Sequence, residues 1–230
     1  MLKGGIMKDI YEVFDYIYKE IKNKKQAHKP IIIGINGIDT SGKTEFTNSL
    51  DTYLKKQKEK VQIIHIDDFH NPKNIRYSGK DEIENYFYKS FNIKGLVNEL
   101  LIPIKKKNYL HKKIRSLNLE TDKYDLEKVF SIDKNTLVIL EGVFIFRKEI
   151  EPYLDYKIFI HIPFDECKKR VLKRDVPKYG EEILKKYDLK YIPTQKYYLK
   201  EYPTEKYSDI IIDNTDFNNP KVIFKELKNL

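Results

Sequence analysis

The chain has 230 residues, of which 40% are hydrophobic, and its 44 lysines and arginines outnumber 35 acidic residues to give a formal net charge of +9. At ~150 residues per domain, this length predicts one domain with an insertion or a lid, and the apolar fraction excludes a wholly disordered chain. The single cysteine, Cys167, excludes an internal disulfide and a cysteine-based zinc site. The positive charge favours an anionic partner, but the scattered lysines and few arginines make nucleic acid a minor hypothesis.

The N-terminus has no apolar segment of the signal-peptide kind, and no apolar run approaches the ~18 residues that span a bilayer. We therefore predict a cytoplasmic protein without a membrane partner, and leave its oligomeric state open. The first six residues raise the hypothesis of a translated ribosome-binding site ahead of Met7. On that hypothesis Met7 is the true start, and we expect no function of residues 1–6.

Helical and strand patterns alternate along the chain. Apolar residues recur at helical spacing over residues 7–21, which predicts an amphipathic helix. Short apolar runs, typical of strands buried on both faces of a parallel sheet, lie at residues 31–35, 61–66, 137–140, 158–162 and 210–212. The predicted fold class is therefore α/β, with a mostly parallel β-sheet flanked by helices.

Two segments extend this pattern. Residues 72–136 contain no buried-strand run, and the helical pattern at 83–102 predicts a helical cap over one edge of the sheet. Pro177 and Gly180 interrupt a helical pattern that begins near Asp165, which predicts a hinged lid at about residues 166–200. Cap, lid and sheet together are expected to form a single domain over residues 7–230.

The stretch from Gly37 to Thr44 matches the phosphate-binding pattern G-x-x-x-x-G-K-[ST]. It follows the first predicted strand, and residues 44–54 continue in a helical pattern. The backbone N–H groups of such a loop and the N-terminus of the next helix bind phosphate oxygens. The motif predicts a P-loop NTPase fold with a triphosphate site formed by Gly37, Ile38, Asp39, Thr40, Ser41, Gly42, Lys43 and Thr44. Lys43 is expected to reach the β- and γ-phosphates, and the Thr44 hydroxyl to bind Mg²⁺.

Acidic residues follow two predicted strands, at the edge of the sheet where open α/β folds bind ligands. Glu141 follows the strand at 137–140 and is placed to hold the Mg²⁺ shell, with helix capping as the alternative. Asp67 and Asp68 follow the strand at 61–66. Asp67 is a candidate base for an attacking hydroxyl, whereas Asp68 is either a substrate residue or a helix cap.

In order and spacing, these motifs resemble the uridine kinase–phosphoribulokinase family of P-loop kinases, and more closely the uridine-kinase-like proteins of low-GC bacteria. The resemblance spans about residues 30–220 and is carried by residues 37–44, 67–70, 76–79, 90–92, 141–144, 170–175, 191–198 and 207–214. It implies that Asp67 activates the acceptor hydroxyl and that Glu141 serves the metal shell. It also implies that Arg170 and Arg174 of the lid clamp the moving phosphate, with surface ion pairs as the alternative.

The resemblance is incomplete in the predicted substrate site. Lys89 stands where the family has an aspartate that binds the ribose hydroxyls. No histidine follows Tyr124, where the family has one that contacts the pyrimidine. Lys89 and Arg76 favour an acceptor that already carries a phosphate or carboxylate, unless they are ordinary surface charges. The candidate substrate residues are Asp68, His70, Arg76, Tyr77, Lys89 and Tyr124.

Three functional hypotheses follow. The first is a kinase that uses ATP and Mg²⁺ to phosphorylate a small-molecule nucleoside resembling uridine or cytidine. The second is a kinase for another hydroxyl acceptor, such as a sugar phosphate or a vitamin precursor. The third is a nucleotide-binding module without phosphotransfer. The preference for ATP over GTP is left open.

Overall fold

A six-stranded sheet forms the centre of the protein in the computed structural model, which describes residues 9–217 and 219–223. In chain order, the strands are β1 Ile31–Gly37, β2 Val61–His65, β3 Leu110–Asn118, β4 Lys123–Ile132, β5 Leu137–Gly142, β6 Tyr156–His161, β7 Ile210–Asp213 and β8 Lys221–Ile223. The central sheet has the order β2-β5-β1-β6-β7-β8, and only β7 and β8 pair antiparallel within it. All five predicted apolar runs are strands of this sheet, which confirms the predicted fold class.

Helices connect the strands and pack on the two faces of the sheet. They are α1 Ile10–Lys24, α2 Lys43–Lys56, α3 Lys73–Arg76, α4 Glu82–Glu84, α5 Ile93–Leu96, α6 Ile102–Lys107, α7 Phe164–Arg174, α8 Val176–Tyr179, α9 Glu182–Lys186, α10 Ile192–Glu201 and α11 Thr204–Tyr207. The first helix starts later than its pattern at 7–21 predicts, because the Asp9 carboxylate accepts the N–H groups of Tyr11 and Glu12 as an N-cap. Residues 1–8, including the start proposed at Met7, lie outside the described residues.

The central strand β1 packs on both sides, which is why its apolar run is continuous. All seven of its residues are buried. Ile31, Ile33 and Ile35 pack with residues of α1 and α2, whereas Ile32 packs on the opposite face. Because β1 lies between β5 and β6, the loop that follows it emerges at the middle of the sheet.

The segment 72–136 is helical only in its first half. The helices α3 to α6 agree with the predicted cap, but β3 and β4 form an antiparallel hairpin that the helical prediction did not include. Of the ten residues of β4, only Phe130 and Ile132 are buried. A strand with so little buried surface has no apolar run, and its lysines and acids carry no strand signal.

The segment predicted as a lid is a succession of short helices, α7 to α10. Gly180, with φ +77°, separates α8 from α9, so the predicted interruption is present. At its C-terminal end, the Tyr198 hydroxyl accepts hydrogen bonds from the Asn36 side chain at 2.9 Å and the Phe146 N–H at 3.0 Å. The C-terminal end of this segment is therefore anchored to the end of β1. None of the helices in the described ranges is long and apolar enough to cross a membrane.

Candidate active site

The phosphate loop connects β1 to α2 and folds back on itself. The Ser41 N–H donates to the Ile38 carbonyl at 3.2 Å, and Gly42 has φ +89°. A Cβ at Gly42 would lie 2.5 Å from the side-chain nitrogen of Asn214, so glycine is required both by conformation and by space. The Lys43 ammonium, on a residue only 9% exposed, donates to the Ile38 carbonyl at 2.8 Å. The loop thus has the form of an anion-binding nest with its lysine folded across it.

Three later segments of the chain hold this loop in place. Arg170 of α7 donates to one loop carbonyl at 3.1 Å, and Asn214, which follows β7, donates to another at 2.7 Å. Gln195 of α10 accepts a loop N–H at 2.9 Å. The shape of the phosphate loop therefore depends on contacts with the segment predicted as a lid and with the chain that follows β7.

Glu141 lies at the end of β5, opposite the start of α2. Its Oε1 is 2.8 Å from Nδ1 of His65 and accepts the Thr44 hydroxyl at 3.4 Å. His65 reaches it because β2 and β5 pair in a register that sets these two residues side by side. The hydrogen bond with Glu141 raises the pKa of His65, against the effect of burial. The other oxygen, Oε2, is buried and has no partner among the described residues.

Gly142 allows β5 to end beside the turn that follows β2. It has φ +152°, and a Cβ there would lie 2.1 Å from Cγ2 of Ile66. We expect Gly142→Ala to lower the free energy of unfolding by about 2–4 kcal/mol, because overpacking is added to backbone strain. Gly180→Ala is the matched control, since Gly180 also has positive φ but has nothing within 4 Å of the added methyl. With ψ 174° its backbone conformation is also one that essentially only glycine adopts, so Gly180→Ala should lose about 1–2 kcal/mol from strain alone. Equal losses in the free energy of unfolding for the two variants, measured by urea denaturation, would contradict the packing argument.

A cleft of about 680 Å³ opens beside the phosphate loop, lined by residues of the cap and the lid. Asp67, in the turn after β2, lines the cleft with a side chain that is 71% exposed. Nδ1 of His70 lies 2.8 Å from the Asp67 carbonyl and 3.9 Å from its carboxylate. Arg76 and Tyr77 line the same cleft. With Arg174, which also lines the cleft, the fold brings five of the predicted catalytic and substrate residues together.

A second cavity, of about 730 Å³, lies along the outer side of the phosphate loop. Lys43, Thr44 and Arg170 line it, and the Phe217 ring lies 5.9 Å from the Arg170 guanidinium. Arg174 lines both this cavity and the cleft. One arginine of the lid therefore faces the two cavities at once, on either side of the loop.

Both lid arginines also form the ion pairs that the sequence analysis gave as their alternative. Arg170 donates to Glu166 at 3.0 Å, and Arg174 donates to Asp175 at 2.6 Å. The hydrogen bond to Asp175 raises the pKa of Arg174. Burial opposes ionisation of Asp175, yet hydrogen bonds from Arg174 and Tyr187 lower its pKa. Arg174 stays charged, and its side chain remains 61% exposed between the cavities.

Three predicted substrate residues lie away from the cleft. Asp68 forms an ion pair with Lys128 of the hairpin at 3.0 Å, and with Tyr124 it lines a separate hollow. The Lys89 ammonium lies against Gly79, and Lys89 is not among the residues that line the cleft. The cleft is therefore built without these three side chains.

Sequence reasoning missed several contacts that shape the site. Gln195 and Asn214 lie in tracts that carry the family resemblance, but the sequence does not show that they hold the phosphate loop. His65 reads as part of a buried strand, and its contact with Glu141 depends on strand register. Asp39, which is predicted as an ATP-binding residue of the loop, is also one of the residues that line the cleft.

Comparisons with known proteins agree with this geometry. The model of the phosphoribulokinase/uridine kinase family matches residues 32–219. The uridine kinase of Ureaplasma parvum serovar 3 is 33% identical over 149 residues, which are 64% of this chain and 70% of that protein. The uridine kinase of Escherichia coli K12 is 26% identical over 161 residues, 69% of this chain and 74% of that one. A solved structure described as a possible uridine kinase from Bacillus stearothermophilus is 25% identical, with a TM-score of 0.71 over 88% of this chain and 98% of its own.

The parallel sheet, the phosphate loop and the strand-end acids define a P-loop kinase, a phosphotransferase with a hydroxyl group as acceptor. More specifically, the chain belongs to the phosphoribulokinase/uridine kinase family. The predicted resemblance is thereby confirmed. Membership of a kinase family leaves the hypothesis of a module without phosphotransfer unsupported.

Proposed function

We propose that this protein is an ATP-dependent kinase that transfers the γ-phosphate of ATP to a hydroxyl of a nucleoside resembling uridine or cytidine. One observation carries the proposal: the phosphate loop separates two cavities, and Asp67 lines one while Lys43 and Thr44 line the other. A nucleotide in the outer cavity and an acceptor in the cleft would meet at the loop. The kinship with uridine kinases favours a nucleoside as the acceptor.

The proposed roles follow from position. Asp67 accepts the proton of the acceptor hydroxyl as its oxygen bonds to the γ-phosphorus and the bond to the β,γ-bridging oxygen breaks. Lys43, Arg170 and Arg174 balance the negative charge of the phosphates, and Arg174 is placed to serve both cavities. Closure of the lid over the cleft would exclude water from the reaction. A cytoplasmic location stays a prediction.

Mg²⁺ fits the residues at the start of α2. The Thr44 hydroxyl and the Glu141 carboxylate lie together, and the buried Oε2 of Glu141 has no partner within the described residues. An ion in this position would be held mainly by phosphates and water, with few protein ligands. Bound there, Mg²⁺ would neutralise charge on the triphosphate.

Glu141→Gln tests this assignment. The variant keeps the hydrogen bond to His65 or Thr44 but loses the negative charge, so we expect the Mg²⁺ concentration for half-maximal activity to rise by about 10–100-fold. Binding of a fluorescent ATP analogue without Mg²⁺ should change little. Glu20→Gln on α1 is the control and should behave as the wild type. An unchanged Mg²⁺ dependence in Glu141→Gln would remove Glu141 from the metal shell.

The proposed activity is tested by measuring ADP release with Mg-ATP against nucleosides, sugar phosphates and pantothenate-like acceptors. Saturable turnover of uridine or cytidine supports the proposal. ATP binding without turnover of any nucleoside would overturn the nucleoside assignment.

A second acceptor class is favoured by the charges of the cleft. Arg76 and Lys190 both line it with side chains only 12% exposed, and Lys73 and Lys186 line it as well. Nε of Arg76 is buried and has no partner among the described residues. A phosphate or carboxylate on the acceptor would meet these groups, so turnover of a sugar phosphate in the same assay, with no turnover of nucleosides, would select this class.

A further inference from the structure

Asp39 belongs to the phosphate loop by sequence but to the cleft by position. It lines the cleft together with Asp67, whereas the loop residues Thr40, Gly42 and Lys43 line the outer cavity. Nucleotide phosphates are anionic, so a carboxylate is of no use in binding them. The roles proposed above for ATP transfer leave this side chain without a function.

The Asp39 carboxylate is fixed on one oxygen and free on the other. Nε2 of Gln195 donates to Oδ2 at 2.6 Å, and the Tyr86 hydroxyl lies 3.4 Å from the same oxygen. The Asp39 N–H donates to Oε1 of Gln195 at 2.9 Å, so Gln195 holds both the backbone and the side chain. Oδ1 accepts no hydrogen bond within the described residues. A carboxylate held in this way presents one oriented acceptor atom to the cleft.

Burial and a neighbouring charge both act on the Asp39 carboxylate. Burial raises the pKa of Asp39, the nearby Lys43 opposes that rise, and the charge of Asp67 adds to it. Two neighbouring carboxylates on one wall repel each other unless ligand or protein hydrogens come between them. A hydroxyl donated to Asp39 and another to Asp67 would satisfy both.

The other acids of the cleft are already engaged. Asp175 accepts hydrogen bonds from Arg174 and Tyr187, and Glu182 pairs with Lys185 at 2.9 Å. On the cap, the position where the family resemblance leads one to expect a carboxylate is Lys89, which does not line the cleft. Asp39 is therefore the remaining carboxylate beside Asp67 that can bind a second hydroxyl.

We infer that Asp39 is an acceptor-binding residue that takes a second hydroxyl of the substrate while Asp67 takes the reacting one. The enzyme would then select acceptors with at least two hydroxyls, such as the ribose of a ribonucleoside. This inference rests on the proposed function and adds to it the substrate group that the phosphate loop itself recognises.

The test compares kcat/KM for uridine, 2′-deoxyuridine and 3′-deoxyuridine in the wild type and in Asp39→Asn. Because a hydrogen bond to a charged group is lost, we expect at least one deoxynucleoside to be about tenfold or more poorer for the wild type. In Asp39→Asn, kcat/KM for uridine should fall by about tenfold. The ratio of kcat/KM for uridine to that for the same deoxynucleoside should then be less than about threefold. Its KM for ATP should stay within about twofold of the wild-type value.

A purely structural role of Asp39 gives a different result. If Asp39 only fastens the loop to Gln195, then Asp39→Asn and Gln195→Ala should both raise the KM for ATP and leave the discrimination unchanged. That result would overturn the inference while uridine turnover persists. Asp188→Asn, a surface change on the lid where Asp188 pairs with Lys168, is the control expected to match the wild type. Absence of any nucleoside turnover by the wild type would instead overturn the proposed function, and the inference with it.

Discussion

Asp67→Asn is expected to lower kcat by about 10²–10⁴-fold and to leave the KM for ATP within about twofold of the wild-type value. Asparagine has the shape of aspartate but cannot accept the proton of the attacking hydroxyl. Asp67 lines the cleft, whereas the outer cavity is lined by other residues, so nucleotide binding should not depend on it. Steady-state assays with uridine and ATP, and titration with a fluorescent ATP analogue, measure the two effects separately.

The adjacent carboxylate provides the comparison. Asp68 pairs with Lys128 of the hairpin and does not line the cleft, so Asp68→Asn should change kcat by less than about threefold. The two variants make the same chemical change at neighbouring positions that face different surroundings. Near-normal turnover in Asp67→Asn, or an equal loss in Asp68→Asn, would dismiss Asp67 as the base.

Lys43→Met is expected to lower kcat/KM by about 10³-fold or more, because the variant loses a positive charge that is proposed to balance the phosphates of ATP. Methionine keeps most of the length and apolar surface of the lysine side chain. Lys43 is 9% exposed, and methionine fills the same space at the cost of one hydrogen bond to a loop carbonyl, so the variant should keep its fold and its far-ultraviolet circular dichroism. Kinetics of ADP release measure the loss of activity.

Lys55→Met is the matched control for this variant. Lys55 lies on the same helix, α2, and forms an exposed ion pair with Asp51 at 2.7 Å. Such a pair contributes about 0.3–0.5 kcal/mol to stability and nothing to the site. Comparable activity losses in Lys43→Met and Lys55→Met would mean that α2, rather than the charge at the phosphate loop, was disturbed.

The order of secondary structure was predictable wherever the pattern was local and deeply buried. The run at residues 31–35 became β1, because a strand with helices on both faces needs an apolar side chain at almost every position. The hairpin β3–β4 escaped prediction for the opposite reason. It buries little surface on β4, and charged residues on exposed positions fit strand and helix equally well.

The candidate site was predictable in part. The strand-end rule placed Asp67 and Glu141 beside the phosphate loop, since the carboxyl ends of parallel strands meet at one edge of the sheet. The rule says nothing about Lys89 and Tyr124, which lie in the cap and do not line the cleft. The cap packs on the sheet through contacts between segments distant in the chain, and no spacing rule states which of its side chains turn toward the cleft.

The amino-acid order alone determined that this protein has a phosphate loop followed by a helix, a parallel sheet with acids at its strand ends, and the motifs of its kinase family. Each of these features has a signal in residues that are neighbours in the chain, so it can be recognised in the sequence even though distant segments hold it in place. Only the tertiary structure decided that Asp39 lines the cleft, that Arg174 borders both cavities and that Asp68 pairs with the hairpin. Those outcomes depend on strand register and on how the cap and lid pack against the loop. Such packing joins segments that are distant in the chain, and it is decided by the energy of the whole fold, so no local pattern reveals it.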